Sequence, residues 1–181
     1  MCYMTVFKLR VVIDTEDDIF RDIEVTEENT LTEFHNEIIK SYAFDGGQMA
    51  SFFKTDEDWE KGEEFPLIDM SADPENSSAK TMNNTTIGEL IKDKGDRLLY
   101  VYDFLRMWCF FVEVIETRKT QKDEQLPQTT LSIGTAPDEE SKDLDFSHPA
   151  SDLNLDFDDE FGDEDDFGGG FDDIDDYDEF R

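Results

Sequence analysis

The sequence predicts an α+β domain: a single mixed β-sheet with one main packed helix, followed by a disordered acidic tail. Three observations carry this. Apolar residues alternate with period two at the start of the chain, a capped amphipathic segment lies between this and the most apolar stretch at 98–115, and the pattern fades after Arg118. The expected order is β-β-α-β-α-β-β, with a β-grasp-like start.

Residues 3–13 place Tyr3, Thr5, Phe7, Leu9 and Val11 on one face and Lys8 and Arg10 on the other, as a half-buried strand does. The polar turn at 14–18 leads to a second strand, with Ile19, Phe20, Ile23 and Val25 set against Arg21, Asp22 and Glu24. Adjacent strands joined by a short polar link predict an antiparallel hairpin. Thr30 and Glu33 have the spacing of a capping box, and Leu31, Phe34, Ile38 and Tyr42 then recur at helical steps, widened by Ile39. Residues 44–47 (Phe-Asp-Gly-Gly) stop this helix.

A short strand is expected around 49–53, then a charged loop through Trp59 and Glu64, an extended piece at 65–68 and a turn-rich connection over 71–85. Thr86 with Glu89 repeats the capping box for a short helix carrying Ile87, Leu90 and Ile91, with Gly95 placed to end it. Residues 98–115 are the most apolar stretch, yet Asp103 and Arg106 interrupt them. Two buried strands joined near 104–107 fit better than one helix. Residues 1–118 are therefore read as the domain, 119–150 as a polar linker and 151–181 as the tail.

The chain has 181 residues and a formal net charge of −32, from 48 acidic against 16 basic side chains. The last 44 residues hold 20 acids and 2 bases, the first 137 hold 28 and 14. Nucleic-acid backbones and anionic membranes select basic surfaces, so neither is an expected partner. Cys2 and Cys109 are too few for a disulfide framework, no signal peptide opens the chain, and no apolar run spans a bilayer; a soluble cytoplasmic protein is expected.

Catalytic chemistry finds little support. His35 lies beside the buried stripe of the first helix, where a packed histidine is more common than a catalytic one, and His148 precedes Pro149 in the linker. Cys109, among aromatics, reads as a buried inert thiol rather than the partner of His35. There is no nucleophile elbow, P-loop or dinucleotide fingerprint. An EF-hand reading from Asp156 fails because Phe161 takes the glycine position. No catalytic residue, cofactor or dedicated metal site is assigned.

The tail is the most informative segment. Its acids are interrupted by single aromatics, Phe157, Phe161, Phe167, Phe171, Tyr177 and Phe180, so long-range attraction to a basic surface is combined with short-range apolar anchors. Such a segment cannot offset chain entropy alone. Residues 175–181 are similar to the acidic, Phe-bearing tips by which bacterial single-stranded-DNA-binding proteins recruit partners, although Arg181 here follows the Phe. The alternative role is that of a solubilising bristle.

Three stretches together resemble the plasmid pRiA4b open-reading-frame-three-like family, a group associated with insertion elements as passenger proteins. They are 19–25 (Ile-Phe-Arg-Asp-Ile-Glu-Val), the Thr30-Leu31, Phe34-His35 and Ile38 pattern with Phe44-Asp45 and 51–53, and Tyr100, Tyr102, Asp103, Phe104, Trp108 and Glu113. The resemblance covers residues 3–117 and is nearest to divergent Bacteroidetes-type members. Leu105 and Arg106 stand where the family has Gly-Asp, and Phe110 and Gln48 where His is common, so any site that those polar positions form in relatives is degraded here. The resemblance implies the fold but no reaction.

The expectation is thus a non-enzymatic interaction protein whose tail binds a basic protein partner. The alternative is a small-molecule-binding or enzymatic domain using an aromatic surface of His35, Tyr100, Tyr102, Asp103 and Trp108.

Overall fold

A computed structural model of the chain describes residues 3–70, 80–121 and 123–144. The chain divides into two units, Met1–Asp145 and Phe146–Arg181. His148 and the expected tail anchors Phe157, Phe161, Phe167, Phe171, Tyr177 and Phe180 lie outside the described residues.

Among the described residues, seven strands form one sheet: β1 Thr5–Ile13, β2 Phe20–Thr26, β3 Ala50–Thr55, β4 Lys61–Pro66, β5 Arg97–Tyr102, β6 Trp108–Lys119 and β7 Gln128–Ile133. Their spatial order is β4-β3-β5-β6-β1-β2-β7. The main helix, α1 (Leu31–Tyr42), lies between β2 and β3 in sequence, and the single-turn α2 (Ile87–Leu90) precedes β5. No helix among the described residues is long and apolar enough to cross a membrane.

The α+β class with one sheet and one main helix is as the sequence predicts, but every neighbouring pair is antiparallel rather than mixed. The β2-α1-β3 crossover does join two strands running the same way. Because β1, β6 and β5 stand between them, no parallel ladder forms.

Local signals explain the elements. The Thr30 hydroxyl accepts from the Glu33 N–H at 3.2 Å and the Glu33 carboxylate accepts from the Thr30 N–H at 2.7 Å, closing the capping box that starts α1. Ala43, in the left-handed region, ends it. The Thr86 N–H donates to Glu89 at 2.7 Å in the same way. Ile91, not Gly95, caps α2; Gly95 takes φ +97° in the turn that enters β5, donating to the Val114 carbonyl.

Three further expectations are corrected. The segment read as a linker from 119 contains regular structure, because β6 continues to Lys119 and β7, Gln128–Ile133, pairs with β2. The extended piece after Trp59 begins at Lys61 rather than Phe65. Arg21 shares the inner face with Ile23 and Val25, since residues two apart point the same way, and Phe20 faces outward.

The core lies between the inner sheet face and α1. Leu9, Val11, Ile23, Phe52, Leu98, Phe110 and Val112 meet Leu31, Phe34, Ile38 and Tyr42 of the helix. The outer face carries a smaller cluster, Phe53, Leu99 and Val101, with Phe104, Met107, Cys109 and Phe111 against it.

Candidate functional site

The five residues expected to form an accessible aromatic surface, His35, Tyr100, Tyr102, Asp103 and Trp108, are all buried, none more than 3% exposed. Period two explains the tyrosines, because Tyr100 and Tyr102 of β5 both point inward beneath α1. His35 follows because one face of α1 lies on the sheet.

The five fall into three settings. His35 Nδ1 and the Tyr100 hydroxyl share a hydrogen bond of 2.6 Å in the middle of the core. Phe52 and Phe110 pack against Tyr100 with centroids at 4.7 and 5.3 Å. Burial pushes the imidazole of His35 down to about 4 and the Tyr100 phenol well up, so both are neutral at pH 7. A neutral, enclosed histidine bonded to a neutral phenol has no route to an external substrate. Cys109 points to the opposite sheet face, in the small outer cluster, and burial raises its thiol; the sheet separates it from His35.

Asp103 occupies the left-handed region, φ 57°, at the end of β5. Its carboxylate accepts from the Leu105 and Arg106 N–H groups at 3.0 and 3.2 Å, and its own N–H donates to the Met49 carbonyl at 2.8 Å. It shapes the β5–β6 turn and ties that turn to the start of β3. The Tyr-x-Tyr-Asp-Phe stretch is therefore a strand end followed by a turn clasp.

Tyr102 and Trp108 reach the edge of the core, where Phe44 packs against both with centroids at 5.6 Å. Here they meet a residue the sequence reading missed. The Tyr102 hydroxyl donates to Glu139 Oε1 at 2.7 Å, the Asp45 N–H donates to Glu139 Oε2 at 2.6 Å, and the Trp108 indole N–H donates to the Glu139 carbonyl at 3.0 Å. Burial, and secondly the carboxylate of Glu139, push the Tyr102 phenol up. Nothing in the composition around 139 distinguishes this glutamate from its acidic neighbours Asp138 and Glu140. Beside it, a cleft of about 770 Å³ opens between residues 42–45 and 136–140.

Arg21 was also missed. Only 4% exposed, it donates to the carbonyls of Ser41, Phe20 and Ile133 at 3.0, 2.9 and 2.8 Å, with its guanidinium 4.7 Å from the Tyr42 ring centre. One cation thereby joins the C-terminal end of α1 to β2 and β7, a favourable place for positive charge.

Comparison with known proteins identifies the fold and the family. The family described as "Plasmid pRiA4b ORF-3-like protein" matches residues 5–171, and the chain belongs to it. A crystal structure of a protein of unknown function, MM3350 from Methanosarcina mazei Go1, is similar with a TM-score of 0.64 and 19% identity, over 78% of this chain and 77% of that one. At that identity the likeness shows the fold alone. No curated protein matches the chain.

Proposed function

We propose that this member of the plasmid pRiA4b ORF-3-like family is a non-enzymatic cytoplasmic interaction protein. Its folded unit is a scaffold, and its acidic, aromatic C-terminal segment binds a basic protein partner. The observation that carries the reading is the uneven charge: residues 146–181 hold 15 acids and one base, with Phe157, Phe161, Phe167, Phe171, Tyr177 and Phe180 set among them. Charge of one sign supplies attraction at long range, and separated aromatics supply anchors at short range. The burial of His35, Tyr100, Tyr102, Asp103 and Trp108 supports it from the other side, since the residues that would serve a catalytic domain are engaged with one another and with Glu139.

The test is affinity capture from native lysate with the full chain and with a chain ending at Asp145, each at low and high salt. Ending at Asp145 rather than earlier keeps Glu139 and its bonds in place. A basic protein retained by the full chain alone, and released at high salt, is the expected result. The same partners on both chains, or none on either, would refute the reading.

A further inference from the structure

Residues 134–144 form a strap without regular secondary structure, running from the end of β7 across the edge of the core. Gly134, at φ +78°, turns the chain out of β7 at a point where a side-chain Cβ would fall 2.9 Å from Ile19 and 3.1 Å from the Asp18 carbonyl. Beyond it the strap touches the domain sparingly. Ala136, Pro137, Glu139 and Lys142 are half-buried, and the other residues from 134 to 144 are exposed. Its polar ties come from two side chains and from the Glu139 backbone carbonyl, which accepts the Trp108 indole N–H at 3.0 Å. The Glu139 carboxylate receives the Tyr102 hydroxyl and the Asp45 N–H, and the Lys142 ammonium donates to the Met107 carbonyl and lies 5.4 Å from the Trp108 ring centre. Ala136 packs on the core.

The groups that receive the strap are held in place by bonds of their own. The Gly46 N–H donates to the Tyr102 hydroxyl at 3.0 Å, leaving the phenol proton directed at Glu139. Phe44 donates its N–H to the Ile39 carbonyl, and Asp103 fixes the β5–β6 turn that presents Met107 and Trp108. An aromatic wall with three outward N–H or O–H donors and one carbonyl acceptor is a preorganised receptor. Beside this wall an open cleft lies between residues 42–45 and 136–140.

We propose that this is a peptide-binding site occupied in cis, and that its ligand is a segment of a partner protein with the pattern Ala-Pro-x-Glu-x-x-Lys. Glu takes the place of Glu139 on Tyr102 and the Asp45 N–H; Lys takes the place of Lys142 on the Trp108 ring and the Met107 carbonyl; Ala-Pro takes the place of Ala136 and Pro137. The ligand is of low net charge, because the first 137 residues carry a net −14 and would repel a polyacid. The site belongs to the folded unit and stands independently of the role proposed for the acidic C-terminal segment.

The test titrates full-length chains with the peptide acetyl-Thr-Ala-Pro-Ser-Glu-Ser-Ser-Lys-amide, which repeats 135–142 with the exposed Asp138 and Glu140 replaced by Ser. Wild type is compared with the Glu139→Ala/Lys142→Ala double variant, whose own strap has lost its two side-chain anchors and keeps only the bond from the Trp108 indole to the carbonyl of residue 139. The double variant should stay folded and bind the peptide at least tenfold more tightly than wild type. Replacing Glu by Gln in the peptide, or Tyr102→Phe in the double variant, should weaken that binding about tenfold. Equal affinity for wild type and double variant, no binding to either, or unfolding of the double variant would overturn the proposal, because a displaceable strap must leave a folded, vacant receptor.

Discussion

The two faces of the sheet solve the same problem with different chemistry. Beneath α1 the face is dry and aromatic: Phe34, Phe52, Tyr100, Phe110, Tyr42 and Phe44 pass ring contacts from one end of the helix to the other at centroid distances between 4.7 and 6.1 Å. Among the described residues, no helix lies over the opposite face. On β1, β2 and β6 it is covered by a ladder of ion pairs. Arg10 forks onto Asp22 at 2.8 and 2.9 Å, Lys8 reaches Glu116 at 3.0 Å, and Arg118 bridges Glu24 and Glu124 at 2.6 and 2.7 Å. On β3, β5 and β6 the same face closes over the small Phe53–Leu99–Val101 cluster, with Arg97 on Trp59 and Lys61 on Phe53. The difference teaches where stability resides. The helix face draws on area removed from water and on packing, the other face on charges that solvent partly screens.

That contrast can be broken by mutation. Phe110→Ala, in the middle of the ring network, should cost about 4 kcal/mol in chemical denaturation, the usual penalty for deleting a core aromatic. A loss below about 1 kcal/mol would show that the network is not the main support.

His35 sharpens the contrast through pH. Its folded pKa, about 4, lies below the ordinary 6.5, so between those values the unfolded chain binds a proton that the folded chain does not. Its contribution is fully present above pH 6.5 and is lost as pH falls to about 4. The stability difference between wild type and His35→Phe should therefore shrink by about 3 kcal/mol on going from pH 7 to pH 4. A difference that is flat with pH would contradict burial of the imidazole.

Arg21 is the one cation among the apolar residues of the inner face of β2. Arg21→Lys keeps the charge but cannot reproduce the fork to three carbonyls, and should cost about 2 kcal/mol. On the open face, Arg118→Ala should cost about 1 kcal/mol or less, with the loss shrinking further in 1 M salt. If it cost as much as Phe110→Ala, the distinction between the faces would fail.

The same contrast explains what was legible in the sequence. Both capping boxes could be read because a Thr and a Glu three residues apart act locally, and the β5–β6 hairpin could be read because charges interrupt an apolar run. Of the edge strands, β7 could not, and β4 was read only at its end. One side of each is open, so β7 is exposed at most of its positions and no apolar alternation marks it. Arg21 was assigned to the wrong face because its charge outweighed the parity that aligns it with Ile23 and Val25. The residues singled out as a surface, His35, Tyr100, Tyr102, Asp103 and Trp108, are buried and fall into three settings. A single sequence shows that aromatics gather but not which side of a sheet a helix will cover. Glu139 left no trace at all, since its partners lie more than thirty residues away in the chain.

The proposed division of labour gives structure to the polar and aromatic candidates of the folded unit and binding to the C-terminal segment. The most direct measurement compares salt-dependent capture of a basic partner by four chains: wild type, the chain ending at Asp145, His35→Phe, and a full-length chain in which Phe157, Phe161, Phe167, Phe171, Tyr177 and Phe180 are replaced by Ser with every acid retained. Capture should survive His35→Phe, weaken markedly without the six aromatics and vanish on truncation. Capture that persists after truncation but is lost with His35→Phe would contradict the account and return function to the core beneath α1.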